Sequence, residues 1–267
     1  MTFDFDRVAF SIFGIDIYWY AIIIIVGMLL GTYFAKKEFV RRGFDEDFIY
    51  DVLFVAIPIG IIGARLWYVL FEWDYYSQNP SQIINIRAGG LAIHGGIIFG
   101  SLATYIFAKK RQLPFLDLID SLVPSLVLAQ GIGRWGNFMN QEAHGGPTDL
   151  PWGIVIDGVK VHPTFLYESI GDIIIFLILI NWRKKNPDKG KLTATYLIGY
   201  GIVRFFVEGF RTDSLYLGPI RIAQLISIIF IILGLVIFYI ANKKHIPPYF
   251  KSKSSTEEKK ANIINFK

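Results

Sequence analysis

Apolar stretches close to twenty residues long recur along the whole chain, and no other feature restricts its fold as strongly. About 20 hydrophobic residues at the ~1.5 Å rise of an α-helix cover the ~30 Å hydrocarbon core of a bilayer. Inside hydrocarbon each backbone N–H and C=O must be satisfied within its own segment, and for runs of this length the helix achieves that. Seven runs are read, at about 15–35, 48–71, 91–108, 115–132, 165–182, 192–210 and 220–241. The predicted fold class is an all-α polytopic membrane protein of about seven transmembrane helices. Residues 1–244 are expected to form a single transmembrane domain with an outer-facing loop near 142–164, and 245–267 a lysine-rich cytoplasmic tail. Run 91–108 is short and carries His94, Gly95, Gly96 and Gly100, while run 115–132 contains Pro124 and leads into a polar, glycine-rich stretch. A partly re-entrant path is the alternative for both.

Composition agrees with this class: hydrophobic residues make up 53% of the chain and the mean hydropathy is +0.45. The first residues, Met1-Thr2-Phe3-Asp4-Phe5-Asp6-Arg7, lack the basic n-region and cleavage site of a secretory signal, so the first run is expected to stay as a span. The chain has no cysteine, which excludes disulfides, thiolate metal sites, iron–sulfur clusters and a cysteine nucleophile of its own. Basic residues cluster in alternate loops. Lys36, Lys37, Arg41 and Arg42 follow the first run, Lys109, Lys110 and Arg111 the third, Arg183, Lys184, Lys185, Lys189 and Lys191 the fifth, and Lys243 and Lys244 the seventh. The positive-inside bias then puts the N-terminus outside and the C-terminus in the cytoplasm. The net charge of +5 is accounted for by topology and anionic lipid, and is no argument for nucleic acid.

With orientation assigned, the polar residues inside the runs fall at one depth. The second run rises outward and places Arg65 in its outer half, the third enters from outside at His94, and the fourth rises into Arg134, Asn137 and Glu142. The sixth carries Tyr200, Arg204, Glu208 and Arg211 at spacings of four, four and three, one face of a helix. Tyr18 and Tyr20 open the first run at the same level. Each residue alone has a plain structural reading: Arg204 and Glu208 can pair with each other, His94 can be a hydrogen-bonded bundle histidine, and Trp19 reads as part of an interfacial aromatic belt. Four arginines, a histidine and two glutamates converging on one leaflet favour a site open to that leaflet instead.

Guanidinium groups match phosphate through bidentate, charge-assisted hydrogen bonds, and the phosphate at that depth is a phospholipid headgroup. The four histidines, His94, His144, His162 and His245, show no HExxH spacing, and no aspartate cluster suits Mg²⁺ on a phosphate. No metal and no other cofactor is expected. Without a GxSxG elbow, attack by an external nucleophile is favoured over a covalent serine intermediate.

These residues also carry a family resemblance. Gly133-Arg134-Trp135-Gly136-Asn137-Phe138-Met139-Asn140-Gln141-Glu142-Ala143-His144-Gly145 resembles the signature G-R-x-G-N-F-x-N-x-E-x-x-G of bacterial prolipoprotein diacylglyceryl transferases. His94-Gly95-Gly96 is similar to that family's HGG segment, Gly63-Ala64-Arg65-Leu66 to its GxRL element, and His162-Pro163-Thr164-Phe165-Leu166-Tyr167-Glu168 to its HPxxLYE stretch. The stretch from Tyr200 to Arg211 resembles its YGxxRFxxExxR helix. The resemblance implies transfer of the diacylglyceryl group of phosphatidylglycerol to the lipobox cysteine of a prolipoprotein signal peptide, in the bacterial cytoplasmic membrane, with release of glycerol phosphate.

It further implies His94, Arg134 and Arg204 as catalytic residues; a neutral histidine suits the thiol proton, which makes His94 the expected acceptor, the alternative being a histidine that only orients the lipid. Arg134, Asn137, Asn140, Glu142, Gly145, Arg65 and Tyr20 would contact phosphatidylglycerol, and Tyr200, Glu208 and Arg211 would form the opposite wall. The missing cysteine fits, because the nucleophile arrives on the substrate. The rival reading, a headgroup-binding transporter or flippase without covalent chemistry, would favour internal repeats, and no convincing repeat is present.

Overall fold

The computed structural model of the chain describes residues 6–86 and 89–250. A hairpin of β1 (Val8–Ile12) and β2 (Ile15–Tyr18) leads into α1 (Trp19–Arg41), α2 (Phe48–Phe71), the short α3 (Trp73–Gln78), α4 (Ile93–Lys110) and α5 (Phe115–Met139). A second hairpin, β3 (Ile154–Ile156) with β4 (Val159–Val161), precedes α6 (Thr164–Trp182) and α7 (Lys191–Phe210). A third, β5 (Tyr216–Leu217) with β6 (Ile220–Arg221), precedes α8 (Ile222–Lys244). Seven long helices are thus present among the described residues, and five of them are long and apolar enough to cross a membrane. The other two are α4, at 18 residues with His94, three glycines and a dilysine end, and α7, at 20 residues with its polar face.

The all-α expectation needs one correction, the three hairpins. Two of them turn on pairs of left-handed residues, Phe13-Gly14 and Asp157-Gly158, the φ combination that matches the twist of a two-residue hairpin. A second difference concerns α5, which does not stop near 132. It runs through Pro124 and the glycines to Met139, so Arg134 and Asn137 stand on a helix. Only past Met139 does the backbone unwind, with Gln141 and Ala143 in the left-handed region that non-glycine residues seldom occupy.

The described residues fall into two compact units. In the first, which runs to Glu38 and resumes over Ile119–Phe250, the core is Val123, Val127 and Leu128 of α5 against Ile175, Phe176 and Leu179 of α6 and Leu192 and Tyr196 of α7, with Phe34 of α1 packed on it. Helices in lipid gain little from burying apolar surface against one another, so close backbone approach at small residues replaces that driving force. Gly201 faces the Ser227 carbonyl and Gly234 the Ala194 carbonyl, joining α7 to α8; an added Cβ would lie 2.9 Å and 2.8 Å from those oxygens. Asp120 of α5 accepts the N–H groups of Gly190 (2.6 Å) and Thr193 (2.8 Å), supplying from a neighbouring helix the negative charge that the N-terminus of α7 favours. The outward faces stay apolar: Ile229, Ile232, Leu235 and Tyr239 of α8 are each more than half exposed, as lipid contact requires.

The second unit, Phe39–Leu118, is built on α2 against α4. Their backbones nearly touch. A Cβ on Gly95 would lie 2.3 Å from the Gly63 carbonyl oxygen, and one on Gly63 would lie 2.3 Å from the Phe99 side chain. Arg42 and Asp117, both buried, pair at 3.6 Å.

Candidate active site

In the first unit three helices and one loop bring charge together. α5 contributes Arg134, α6 contributes Glu168, and α7 contributes Arg204 and Glu208. Glu168 is 1% exposed and bridges both arginines: its Oε1 lies 2.6 Å from Arg134 Nη2 and its Oε2 3.1 Å from Arg204 Nη1. The second terminal nitrogen of Arg204 meets Glu208 Oε2 at 2.8 Å, the i,i+4 pair that the sequence spacing allowed. Both guanidinium side chains keep partial exposure, 22% for Arg134 and 17% for Arg204, while the carboxylates between them are almost wholly buried. The Tyr200 hydroxyl lies against Arg134. Asp172, one turn beyond Glu168, is fully buried with no hydrogen-bond partner on either carboxylate oxygen among the described residues.

The unwound segment after α5 wraps this cluster. Arg134 Nη1 reaches Asn137 Oδ1 at 3.4 Å, and the Asn137 amide donates to Glu142 at 2.9 Å, as does Asn140 at 3.3 Å. Tyr20, on the second residue of α1, packs its ring on Gly136, where a Cβ would sit 2.7 Å from a ring carbon. Gly145 pairs with Arg211 in an antiparallel bridge, so its backbone is locked to the end of α7. Arg211 lies just past that helix end and holds Asp213 through both Nε (2.9 Å) and Nη2 (2.7 Å). Those bonds keep the Asp213 carboxyl below the usual carboxylate range. Arg221 donates to the Glu208 carbonyl and to the Tyr216 hydroxyl, tying the third hairpin to the same end.

Tyr20, Arg134, Asn137, Asn140, Glu142, Gly145, Tyr200, Arg204, Glu208 and Arg211 therefore all belong to the first unit. Sequence reading has Glu168 only as the end of the HPxxLYE stretch, with no role, and does not single out Asp172. The signal was available, because two carboxylates four residues apart in an apolar run are as costly there as Arg204 and Glu208 are in theirs.

His94 and Arg65 belong to the second unit. His94 is the second residue of α4, exposed, and its imidazole makes no hydrogen bond among the described residues. An apolar groove of about 350 Å³ lies beside it, lined by Gly60, Ala64, Leu91, Ile93, Gly96 and Ile97, a surface for hydrocarbon rather than charge. Arg65 departs from the role expected of it. It is buried, stacks on Tyr76, and gives its guanidinium hydrogens to loop carbonyls: Nε to Ile83 (2.7 Å), Nη1 to Gly89 and Gly90 (both 2.8 Å), and Nη2 to Gln82 (2.5 Å) and Asn85 (3.3 Å). A guanidinium has five N–H donors, so none remains for a phosphate.

A family profile for prolipoprotein diacylglyceryl transferases matches residues 7–240. The chain belongs to this family. It is 55% identical over 240 residues to the phosphatidylglycerol–prolipoprotein diacylglyceryl transferase of Clostridioides difficile (strain 630), covering 90% of this chain and 97% of that protein. The protein of the same name from Finegoldia magna is 56% identical over 242 residues, again with 90% and 97% coverage, and that of Bacillus mycoides 51% identical over 251 residues, with 90% and 93% coverage. The bridged arginines thus sit in a transferase family whose members are named for a phosphate-bearing lipid.

Proposed function

We propose that this chain transfers the diacylglyceryl group of phosphatidylglycerol to the lipobox cysteine thiol of prolipoproteins, in the bacterial cytoplasmic membrane. The observation that carries this reading is the pair Arg134 and Arg204, fixed by one buried carboxylate while their side chains stay partly exposed. Its relatives' names supply the two substrates. The thiolate sulfur attacks the glycerol carbon that bears the phosphate ester; the S–C bond forms, the C–O bond breaks, and its electron pair stays on the departing glycerol phosphate. A phosphodiester with one negative charge becomes a monoester able to carry two, so the arginines bind the transition state more strongly than the ground state. His94 accepts the thiol proton, a role supported by its exposure and by the lack of competing hydrogen bonds among the described residues. Asn137, Asn140 and Glu142 orient the headgroup and Arg134, Gly145 admits close backbone approach, and Tyr20, Tyr200, Glu208 and Arg211 form the surrounding wall. The N-terminus and the 142–162 loop face outward, with Lys184 and Lys244 in the cytoplasm, following the alternation of basic loops. The test is direct: incubate purified protein with phosphatidylglycerol and a lipobox peptide, then weigh the peptide. A gain of one diacylglyceryl unit is expected; headgroup binding without mass gain would refute transfer and favour the transporter reading.

A further inference from the structure

Glu168 ends the HPxxLYE stretch, and the transfer chemistry set out above gives it no role. It lies on α6, while its two partners lie on α5 and α7, so one carboxylate closes a bridge among three helices. Its burial is nearly complete, whereas the side chains of Arg134 and Arg204 keep partial exposure. Two arginines brought this close repel each other, and a buried anion between them removes that repulsion while fixing both planes. A carboxylate also resembles half of a phosphate: two oxygens, each taking one guanidinium.

We propose that Glu168 is a positioning residue, an internal counter-ion that takes one terminal nitrogen of Arg134 and one of Arg204 and sets the separation and tilt of the two guanidinium groups for an arriving phosphate. Glu168 also limits how tightly the pair binds an anion. Glu168 and Glu208 together offset the charge of the two arginines, so the pair holds a phosphodiester through directed hydrogen bonds rather than excess charge and can release the more highly charged product. Neighbouring hydrogen bonds are consistent with a fixed mount for α6: the Ser169 hydroxyl donates to the Gly131 carbonyl at 2.8 Å and accepts from Trp135 Nε1 at 3.1 Å, which pins the turn carrying Glu168 to the turn carrying Arg134.

The inference rests on the transfer reading, and Glu168→Gln tests it separately. The amide keeps the side chain's shape, removes the negative charge, and replaces one acceptor by a donor that opposes a guanidinium. Anion affinity is expected to rise, with the KM for phosphatidylglycerol and the inhibition constant of glycerol phosphate each falling about tenfold. Turnover is expected to fall about a hundredfold, because the guanidinium planes are no longer fixed and product leaves slowly. A residue needed only for folding would not move KM and kcat in the same downward direction. Glu168→Asp keeps the charge but is one methylene short of both partners, and should lower kcat at unchanged KM. Unaltered kcat in both variants, or loss of the folded protein in both by thermal unfolding in detergent, would overturn the inference. Absence of transfer by the wild-type protein would instead overturn the reading beneath it.

Discussion

Replacing Arg65 with lysine separates a loop clamp from a phosphate ligand. Lysine retains the charge but offers three donors where the guanidinium offers five, so at least two of the carbonyls of Gln82, Ile83, Asn85, Gly89 and Gly90 lose their partner. An unsatisfied buried carbonyl costs about 1–3 kcal/mol. These loop residues are half-buried to exposed, and water recovers part of that cost, which leaves about 2 kcal/mol for two carbonyls. That free energy acts on the opening of residues 79–92 rather than on global unfolding, and corresponds to roughly thirtyfold more frequent opening. The segment leads directly into α4, where Ala92 N–H donates to the Ala64 carbonyl at 3.0 Å, so loosening it frees the turn that carries His94. Hydrogen exchange followed by mass spectrometry should report faster exchange in 79–92 with α2 and α5 unchanged, and peptide transfer should fall by about tenfold through kcat. Unchanged exchange combined with a raised KM for phosphatidylglycerol would refute the clamp and return Arg65 to the headgroup.

Arg134→Lys should lower transfer by about a hundredfold or more without unfolding the protein, because lysine cannot serve Glu168 and a phosphate in one plane; near-normal turnover would show that the arginine is only a structural pair. His94→Gln should still bind phosphatidylglycerol but barely alkylate the peptide, and raising the pH toward the thiol's ordinary value of about 8.5 should partly rescue it, since solution then supplies thiolate. Lost lipid binding without rescue would make His94 part of the headgroup pocket. Gly145→Ala puts a Cβ 2.6 Å from His162 Cβ and 2.9 Å from the Phe210 carbonyl oxygen. Because backbone cannot yield cheaply, a thermal unfolding curve should register a loss of roughly 1–3 kcal/mol together with impaired transfer, and a fully active, equally stable variant would count against the strand register described.

The parts of this protein that its sequence determines are those governed by local physics. Helices appear wherever an apolar run is long enough to cover hydrocarbon, because backbone hydrogen bonds close within the run itself. The i,i+4 pairing of Arg204 with Glu208 follows from helical period alone, whereas the turn dipeptide Asp157-Gly158 carries a local hairpin signal that the all-α reading passed over. Costly polar residues in apolar runs likewise betray Arg134 and His94 without any knowledge of their neighbours. Partnership is another matter. Arg204 finds Glu168 36 residues away, and Arg65 finds the Gly90 carbonyl 25 residues away. The same guanidinium chemistry serves a bridged pair in one place and a ring of loop carbonyls in the other, and nothing within a few residues of either arginine distinguishes them. The extension of α5 to Met139 past Pro124 and the glycines was decided in the same way: the glycine and proline propensities that argue for a break are small beside the packing of Gly131 on α6 and Gly136 on Tyr20. Which charge meets which depends on how separate helices pack, a long-range property that only the tertiary structure settles.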